Sequence, residues 1–199
     1  MEFWNEAIIE KSWKVLQELK KKIKFILIGG WAIWLLTKTL KSKDIDIIVD
    51  FKELTKLKEK FQIKKNQRLK KYELVMDEVD IDIYVPYYSD LGVPLSKIKT
   101  ITIQGFRIPE PQYLLVMKQH TYRQREGPKK EKDLIDIFAL TTVTDLKKYL
   151  QLTKELNKPQ YVNDLIAIIR SFKDYQFLNL TPRKFKLIKK SIIEKLKHL

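Results

Sequence analysis

Two aspartates separated by one residue, Asp44 and Asp46, interrupt an apolar run that reads DIDIIV over residues 44–49. In a β-strand, successive side chains point to opposite faces, so both carboxylates would share one face and the isoleucines the other. Adjacent carboxylates repel each other and resist burial unless a cation or water compensates them. The rest of the chain must supply that compensation.

A second acidic pair lies in the segment EVDIDIYVP, residues 78–86. The segment alternates between polar and apolar residues and ends at Pro86, which predicts a strand with Asp80 and Asp82 on one face. Three carboxylates converging from adjacent strands form an oxygen-ligand site suited to Mg²⁺, which takes its remaining ligands from water and substrate phosphates. Either Asp82 or Asp80 could be the third acid.

A glycine pair, Gly29-Gly30, stops the short apolar strand predicted over residues 24–28. Glycine lets the backbone approach a ligand closely, and the N-terminus of the following helix suits phosphate. Thirteen residues separate Gly30 from Asp44, enough for one short helix and a turn, so the aspartate strand can return beside the glycine turn. Alone, the pair is more typical of an ordinary strand end.

Composition limits the function classes. The 199 residues are 44% apolar and 11% aromatic, which is typical of an ordered globular protein. With no cysteine and two histidines, thiolate zinc sites are excluded and an all-imidazole site is disfavoured. No apolar stretch could span a bilayer and no signal segment opens the chain, so we expect a cytoplasmic protein without membrane attachment. The net charge of +15 suggests a polyanionic partner, although a lysine-rich surface can also serve solubility alone.

Hydrophobic periodicity predicts an α+β protein, with a small mixed β-sheet and flanking helices followed by a C-terminal helical bundle. We place the two domains at residues 1–110 and 111–199. Predicted helix starts in the second domain are Thr144-Asp145 and Thr181-Pro182. The predicted helices cover residues 2–22, 31–39, 51–61, 110–125 and much of the chain from about 130, and the strands cover 24–28, 44–49, 78–86 and a strand or hairpin at 98–108.

Together these residues resemble the DNA polymerase beta-like nucleotidyltransferase superfamily. Its signature is an apolar strand, two small residues beginning with glycine, Asp-x-Asp and a later third acid. Gly29, Gly30, Asp44 and Asp46 match this pattern, and the third acid matches Asp82 in preference to Asp80 because of its spacing from Pro86. The resemblance is closest to the nucleotidyltransferase toxins of abortive-infection and toxin-antitoxin systems, and to minimal and antibiotic nucleotidyltransferases.

Those toxins carry a helix with lysine, arginine and then a further aspartate, which Lys118, Arg123 and Asp133 match. The resemblance implies that these residues bind the nucleotide. Helical geometry favours Arg125 as the rival to Arg123, because Arg123 lies about 140° around the helix from Lys118 while Arg125 shares its face. A solvated helix face, and acids that complement a helix dipole at Asp133 and Asp136, are the alternatives.

The resemblance implies a nucleotidyltransferase core that transfers a nucleoside monophosphate (NMP) from a nucleoside triphosphate (NTP) to a hydroxyl and releases pyrophosphate, with Asp44, Asp46 and Asp82 holding two Mg²⁺ ions. Residues 145–199 contain 13 Lys or Arg against five Asp or Glu, which favours RNA, such as a tRNA end, over an aminoglycoside acceptor. An acidic protein such as an antitoxin is the other expected partner. The competing hypotheses are an inactive nucleotidyltransferase-like module that binds nucleic acid or a protein, and an RNA-binding protein of unrelated fold.

Overall fold

The chain divides into two units, one ending at Glu110 and the other beginning at Pro111. The computed structural model describes residues 5–127, 129–178 and 180–198. The first unit combines helices with a mixed sheet and the second is helical in its described part, so the predicted α+β class is confirmed. Within these residues, no helix is long and apolar enough to cross a bilayer.

The first unit is built on a five-stranded sheet and a separate two-stranded hairpin. Its elements are α1 (Glu6–Lys22), β1 (Ile26–Ile28), α2 (Gly29–Thr37), β2 (Ile45–Ile48), α3 (Phe51–Lys60), β3 (Lys64–Asn66), β4 (Lys71–Met76), β5 (Val79–Tyr84), a 3-10 turn (Leu95–Lys97), β6 (Thr100–Ile103) and β7 (Phe106–Pro109). The strand order of the sheet is β1-β2-β5-β4-β3. In the sheet, β2 and β5 are parallel and the other neighbouring strands are antiparallel, while β6 and β7 form the hairpin.

Alternation along the central strands separates the apolar core from the acids. Ile45 and Ile47 of β2 and Ile81 and Ile83 of β5 are almost completely buried, and they lie opposite one another in the strand register. Trp31 of α2 is also buried, with its indole N–H donating to Ser12 Oγ at 2.9 Å. Burial of these large side chains fixes the register, because a one-residue slip would expose them and bury the aspartates instead.

The second unit packs its helices around aromatic side chains. Phe138 stacks on Phe172 with ring centroids 4.7 Å apart. The helix predicted to start at Thr144-Asp145 is capped by Asp145, whose carboxylate accepts from the Lys147 amide at 2.9 Å. The Thr144 hydroxyl is not the cap, because it donates to a carbonyl of the preceding helix. Its elements are α4 (Pro111–Gln124), α5 (Lys129–Val143), α6 (Leu146–Glu155), α7 (Gln160–Ser171), a 3-10 turn (Tyr175–Leu178) and α8 (Pro182–His198).

Candidate active site

A row of acidic residues crosses the sheet of the first unit. In the strand register, Asp46 of β2 lies directly opposite Asp82 of β5, and Asp82 lies directly opposite Glu73 of β4. Residues paired in the register project from the same face, and in the antiparallel pair of Asp82 and Glu73 the Cβ atoms are about 4.5–5.5 Å apart. We call Asp46, Asp82 and Glu73 the acid row. It occupies the face opposite the buried isoleucines.

The other two candidate acids lie at the edge of this row. Asp44 directly precedes β2, its side chain is 35% exposed, and its charge acts on Asp82. Asp80 is exposed, and its partner in the register is Val75, which is also exposed. The register therefore places Asp82, and not Asp80, beside Asp46.

The glycine turn lies against Asp46. β1 runs directly into α2, and Ile28, the last residue of β1, is the register partner of Asp46. Gly29 has a φ of +64°, and a Cβ added there would lie 2.0 Å from Asp46 Oδ2. Only glycine fits, both because L side chains disfavour this φ and because the carboxylate fills the space. The helix was predicted from residue 31, but it begins at Gly29, and Gly30 is buried in its first turn.

Lys71 of β4 forms ion pairs with two members of the acid row. Its ammonium lies 2.6 Å from Asp82 Oδ2 and 3.1 Å from Glu73 Oε1, and its side chain is 12% exposed. Burial alone would lower the pKa of Lys71, but the bonds to Asp82 and Glu73 outweigh burial and raise it. Glu73 also accepts from Asn66 Nδ2 at 2.8 Å. Lys71 is thus a cation held within the acid row.

Burial keeps the pKa of Asp82 above its ordinary value although Lys71 is bonded to it. Burial is the largest cause of the shift, the bond and charge of Lys71 lower the pKa, and the charges of Glu73 and Asp44 raise it by less. Within the described residues, no group of three acidic, histidine or cysteine side chains is gathered closely enough to hold a metal ion. Asp82 is therefore a partly buried carboxylate whose negative charge Lys71 stabilises only in part.

A buried ion cluster joins α4 to α5 in the second unit. Lys118 Nζ lies 3.0 Å from Asp133 Oδ1 and 2.8 Å from Asp136 Oδ2, and both aspartates are fully buried. Lys132 Nζ lies 3.1 Å from the same Asp136 oxygen. Burial would lower the pKa of Lys118, but the charges of Asp136 and Asp133 outweigh it and hold the pKa above its ordinary value. Lys118 is therefore a firmly charged lysine committed to two carboxylates.

The two candidate arginines have different partners. Arg125 Nη1 lies 3.1 Å from Asp133 Oδ2 and 3.3 Å from Oδ1, while its side chain remains 42% exposed. Arg123 forms an ion pair with Asp164 of α7 and lies over the Tyr161 ring at 5.5 Å. Arg125 therefore shares Asp133 with Lys118, and Arg123 faces a different helix.

The family is decided by the sequence match. Residues 7–176 match the family model described as "Nucleotidyltransferase of unknown function (DUF6036)". The chain belongs to this nucleotidyltransferase family. No curated protein matches it.

Solved structures support the DUF6036 assignment at the level of the fold. JHP933 from Helicobacter pylori superposes with a TM-score of 0.54 at 16% identity, covering 98% of this chain and 95% of that one. ANT(2")-Ia, solved in complex with adenylyl-2"-tobramycin, superposes with a TM-score of 0.54 at 14% identity, covering 77% of this chain and 97% of that one. These superpositions show the fold, and the family match confirms the predicted resemblance to nucleotidyltransferases. The protein is a nucleotidyltransferase.

Two residues of the candidate site were not predicted from the sequence. Lys71 and Glu73 lie on β4, a strand that the hydrophobic pattern did not indicate, and they enter the site only through the register with β5. Asp136 was considered only as an acid complementing a helix dipole. Its spacing of four from Lys132 was the available signal for an ion pair.

Proposed function

We propose that this nucleotidyltransferase transfers an NMP from an NTP to a hydroxyl acceptor in a Mg²⁺-dependent reaction, with release of pyrophosphate. The observation that carries the proposal is the acid row, in which Asp46 lies against the Gly29 turn and directly opposite Asp82. A phosphate-accommodating turn beside oxygen ligands is the arrangement that NMP transfer requires. The family and the fold support NMP transfer in general.

Asp44, Asp46 and Asp82 have the chemistry to hold Mg²⁺, and the resemblance implies two ions. Their carboxylates are hard oxygen donors on one side of the sheet. The raised pKa of Asp82, which persists beside Lys71, supports a site that accepts further positive charge. When bound, the metal would offset phosphate charge and lower the pKa of the acceptor hydroxyl.

The chain's own residues position the nucleotide in this proposal. A side chain at Gly29 would collide with Asp46, so glycine there keeps the carboxylate in place. The resemblance implies that the turn of Gly29 and Gly30 seats the triphosphate. Arg125 is the preferred phosphate-binding cation, since it shares Asp133 with Lys118, whereas Arg123 is exposed to a similar degree but faces a different helix. Lys118 then anchors Asp133, and Arg123, bound to Asp164, is the weaker candidate.

RNA, such as a tRNA end, is the proposed acceptor. α8 carries six exposed basic residues on the side away from its buried Phe185, Ile192 and Leu196. Such a surface attracts a polyanion and repels a cationic drug, so the charge disfavours an aminoglycoside acceptor, although the similar ANT(2")-Ia was solved with adenylyl-2"-tobramycin. The exposed basic residues are Arg183, Lys184, Lys186, Lys190, Lys195 and Lys197.

The test of the reaction is incorporation of label from each of four α-labelled NTPs, with Mg²⁺ or with chelator, into total RNA and into tobramycin. We expect Asp46→Asn and Asp82→Asn to lower incorporation by at least about 1,000-fold, since each removes a metal-binding carboxylate. Asp80→Asn is the matched control on the same strand and should stay within about twofold of wild type. Full activity in Asp46→Asn would refute the assignment.

The inactive-module hypothesis makes a different prediction. It expects no turnover of any NTP by the folded wild-type chain, and no joint binding of Mg²⁺ and NTP in calorimetry. Labelled RNA with unlabelled tobramycin would support the proposed acceptor, and the reverse pattern would replace it. An acidic protein partner such as an antitoxin would be indicated by inhibition of a demonstrated activity.

A further inference from the structure

Lys71 occupies a position that the proposed reaction does not explain. Its ammonium lies 2.6 Å from Asp82 Oδ2, on a carboxylate that the proposed function assigns to metal. The Lys71 side chain is 12% exposed and that of Asp82 is 24% exposed, so this pair is more protected from solvent than an ordinary surface ion pair. A cation already holds one oxygen of a carboxylate that the metal would use.

Glu73 is a second carboxylate partner of the same ammonium. Lys71 Nζ lies 3.1 Å from Glu73 Oε1, and Glu73 is next to Asp82 in the register and 37% exposed. An ammonium and a divalent cation on one carboxylate repel each other, and a lysine side chain has a flexible four-carbon stem. Lys71 can therefore leave Asp82 without losing a carboxylate partner.

We propose that Lys71 is the counter-cation of the metal-free acid row, that it competes with the divalent cation for Asp82, and that it keeps only its ion pair with Glu73 when the cation binds. The inference rests on the proposed function for the assignment of Asp82 as a metal ligand. The role of Lys71 is to keep the partly buried Asp82 carboxylate paired when metal is absent. Lys71 is a positioning residue in this scheme and not a metal ligand.

The direct test is calorimetric titration of the full chain with Mn²⁺ in the absence of nucleotide. Lys71→Met removes the competitor and should tighten Mn²⁺ binding by about tenfold to a hundredfold, the range expected when a charge-assisted hydrogen bond need not be broken. Lys52→Met removes the same charge from an exposed position on α3 and should change the affinity by less than about twofold. Equal or weaker Mn²⁺ binding by Lys71→Met would overturn the proposal, as would no Mn²⁺ binding by either protein.

The part assigned to Glu73 is tested by Glu73→Gln in two backgrounds. In the wild type this substitution removes the second carboxylate partner of Lys71 and should weaken Mn²⁺ binding, because Lys71 is then held at Asp82 alone. In the Lys71→Met background it should have no effect on Mn²⁺ affinity, because no lysine is present to pair with Glu73. A further loss of affinity in that background would make Glu73 a metal ligand and overturn its proposed role as the partner that Lys71 keeps.

Thermal melting supplies a second measurement. Lys71→Met leaves Asp82 without its lysine, so it should melt below wild type in chelator and gain more from added Mn²⁺ than wild type gains. An equal gain in melting temperature would contradict competition between Lys71 and the metal.

If the Lys71→Met affinity for Mn²⁺ is unchanged while Asp46→Asn abolishes both Mn²⁺ binding and incorporation, this inference fails and the proposed function stands. If Mn²⁺ competition is observed but no NTP is incorporated, the proposed function fails instead.

Discussion

Substitution of Gly29 by alanine should disable the site through two separable effects. The φ of +64° at Gly29 costs an L residue about 1–2 kcal/mol in the folded state. The new Cβ would lie 2.0 Å from Asp46 Oδ2, 2.6 Å from its Cγ and 2.8 Å from its Cβ. Ordinary contact begins at 3.4 Å, so the carboxylate must retreat by about 1.4 Å.

A displacement of this size converts into an expected loss of rate. Misplacing a reacting or metal-binding group by about 1 Å costs on the order of 100-fold in rate, so we expect at least that loss in Mg²⁺-dependent NMP incorporation. Overpacking adds about 1–3 kcal/mol of destabilisation to the backbone cost. The measurements are steady-state incorporation and urea unfolding of the same preparations.

Gly105→Ala is the matched control for the backbone effect. Gly105 has a φ of +72°, and an added Cβ there would approach only the flexible end of Lys20 among the described residues. It should lose about 1–2 kcal/mol of stability and keep its activity. Near-normal incorporation by Gly29→Ala, with a stability loss no larger than that of Gly105→Ala, would refute the idea that glycine is needed for the position of Asp46.

The remaining predictions concern the second unit. Arg125→Ala should raise KM for the NTP by about tenfold or more, whereas Arg123→Ala should have a smaller effect; equal effects would contradict the preference for Arg125. Lys118→Met should destabilise the protein by about 3–5 kcal/mol in urea unfolding, because it leaves two buried carboxylates undercompensated. Burial would raise the pKa of Asp136, but Lys118 and Lys132 outweigh it and hold the pKa below its ordinary value. The contribution of Asp136 to stability is therefore present above the ordinary carboxyl pKa and is lost as pH falls through the folded-state pKa, so Asp136→Asn should flatten this acid limb when urea unfolding is measured against pH. RNA binding should weaken steeply between 50 and 200 mM salt, by about 10³-fold if six phosphates are contacted, and salt-independent binding would contradict a phosphate-directed surface.

The alternation of aspartates and isoleucines made two members of the acid row, Asp46 and Asp82, predictable from the sequence. Asp44 follows the same period of two, so its common face with Asp46 was also predictable. The partner strand β4 was not predicted, because its alternation breaks at Val75, an apolar residue that is 63% exposed, and its turn lacks the usual glycine. That turn uses Asp77 and Glu78, which both have positive φ values, of 49° and 62°. A two-residue hairpin turn of this type normally shows Asn-Gly or Asp-Gly in the sequence.

The second unit shows what periodicity can and cannot supply. Angular spacing favoured Arg125 over Arg123 as the companion of Lys118, and Arg125 does share Asp133 with it, although α4 ends at Gln124. Spacing along one helix gave no information on the partner of Arg123, because Asp164 is 41 residues away on α7. Contacts between helices depend on packing, which a period in one segment does not encode.

The charge of the whole chain and the charge of the acid row act over different ranges. Exposed lysines and arginines give a field that is screened beyond about 10 Å at 0.1 M salt, so they can recruit a polyanion to the surface. Within a few ångströms of the acid row, phosphate would meet the carboxylates of Asp46, Asp82 and Glu73, and Lys71 divides one positive charge between Asp82 and Glu73. A triphosphate would be repelled there unless additional positive charge accompanied it. The basic surface can therefore explain attraction to RNA, but binding of an NTP beside Asp46 and Asp82 requires a cation that this surface does not provide.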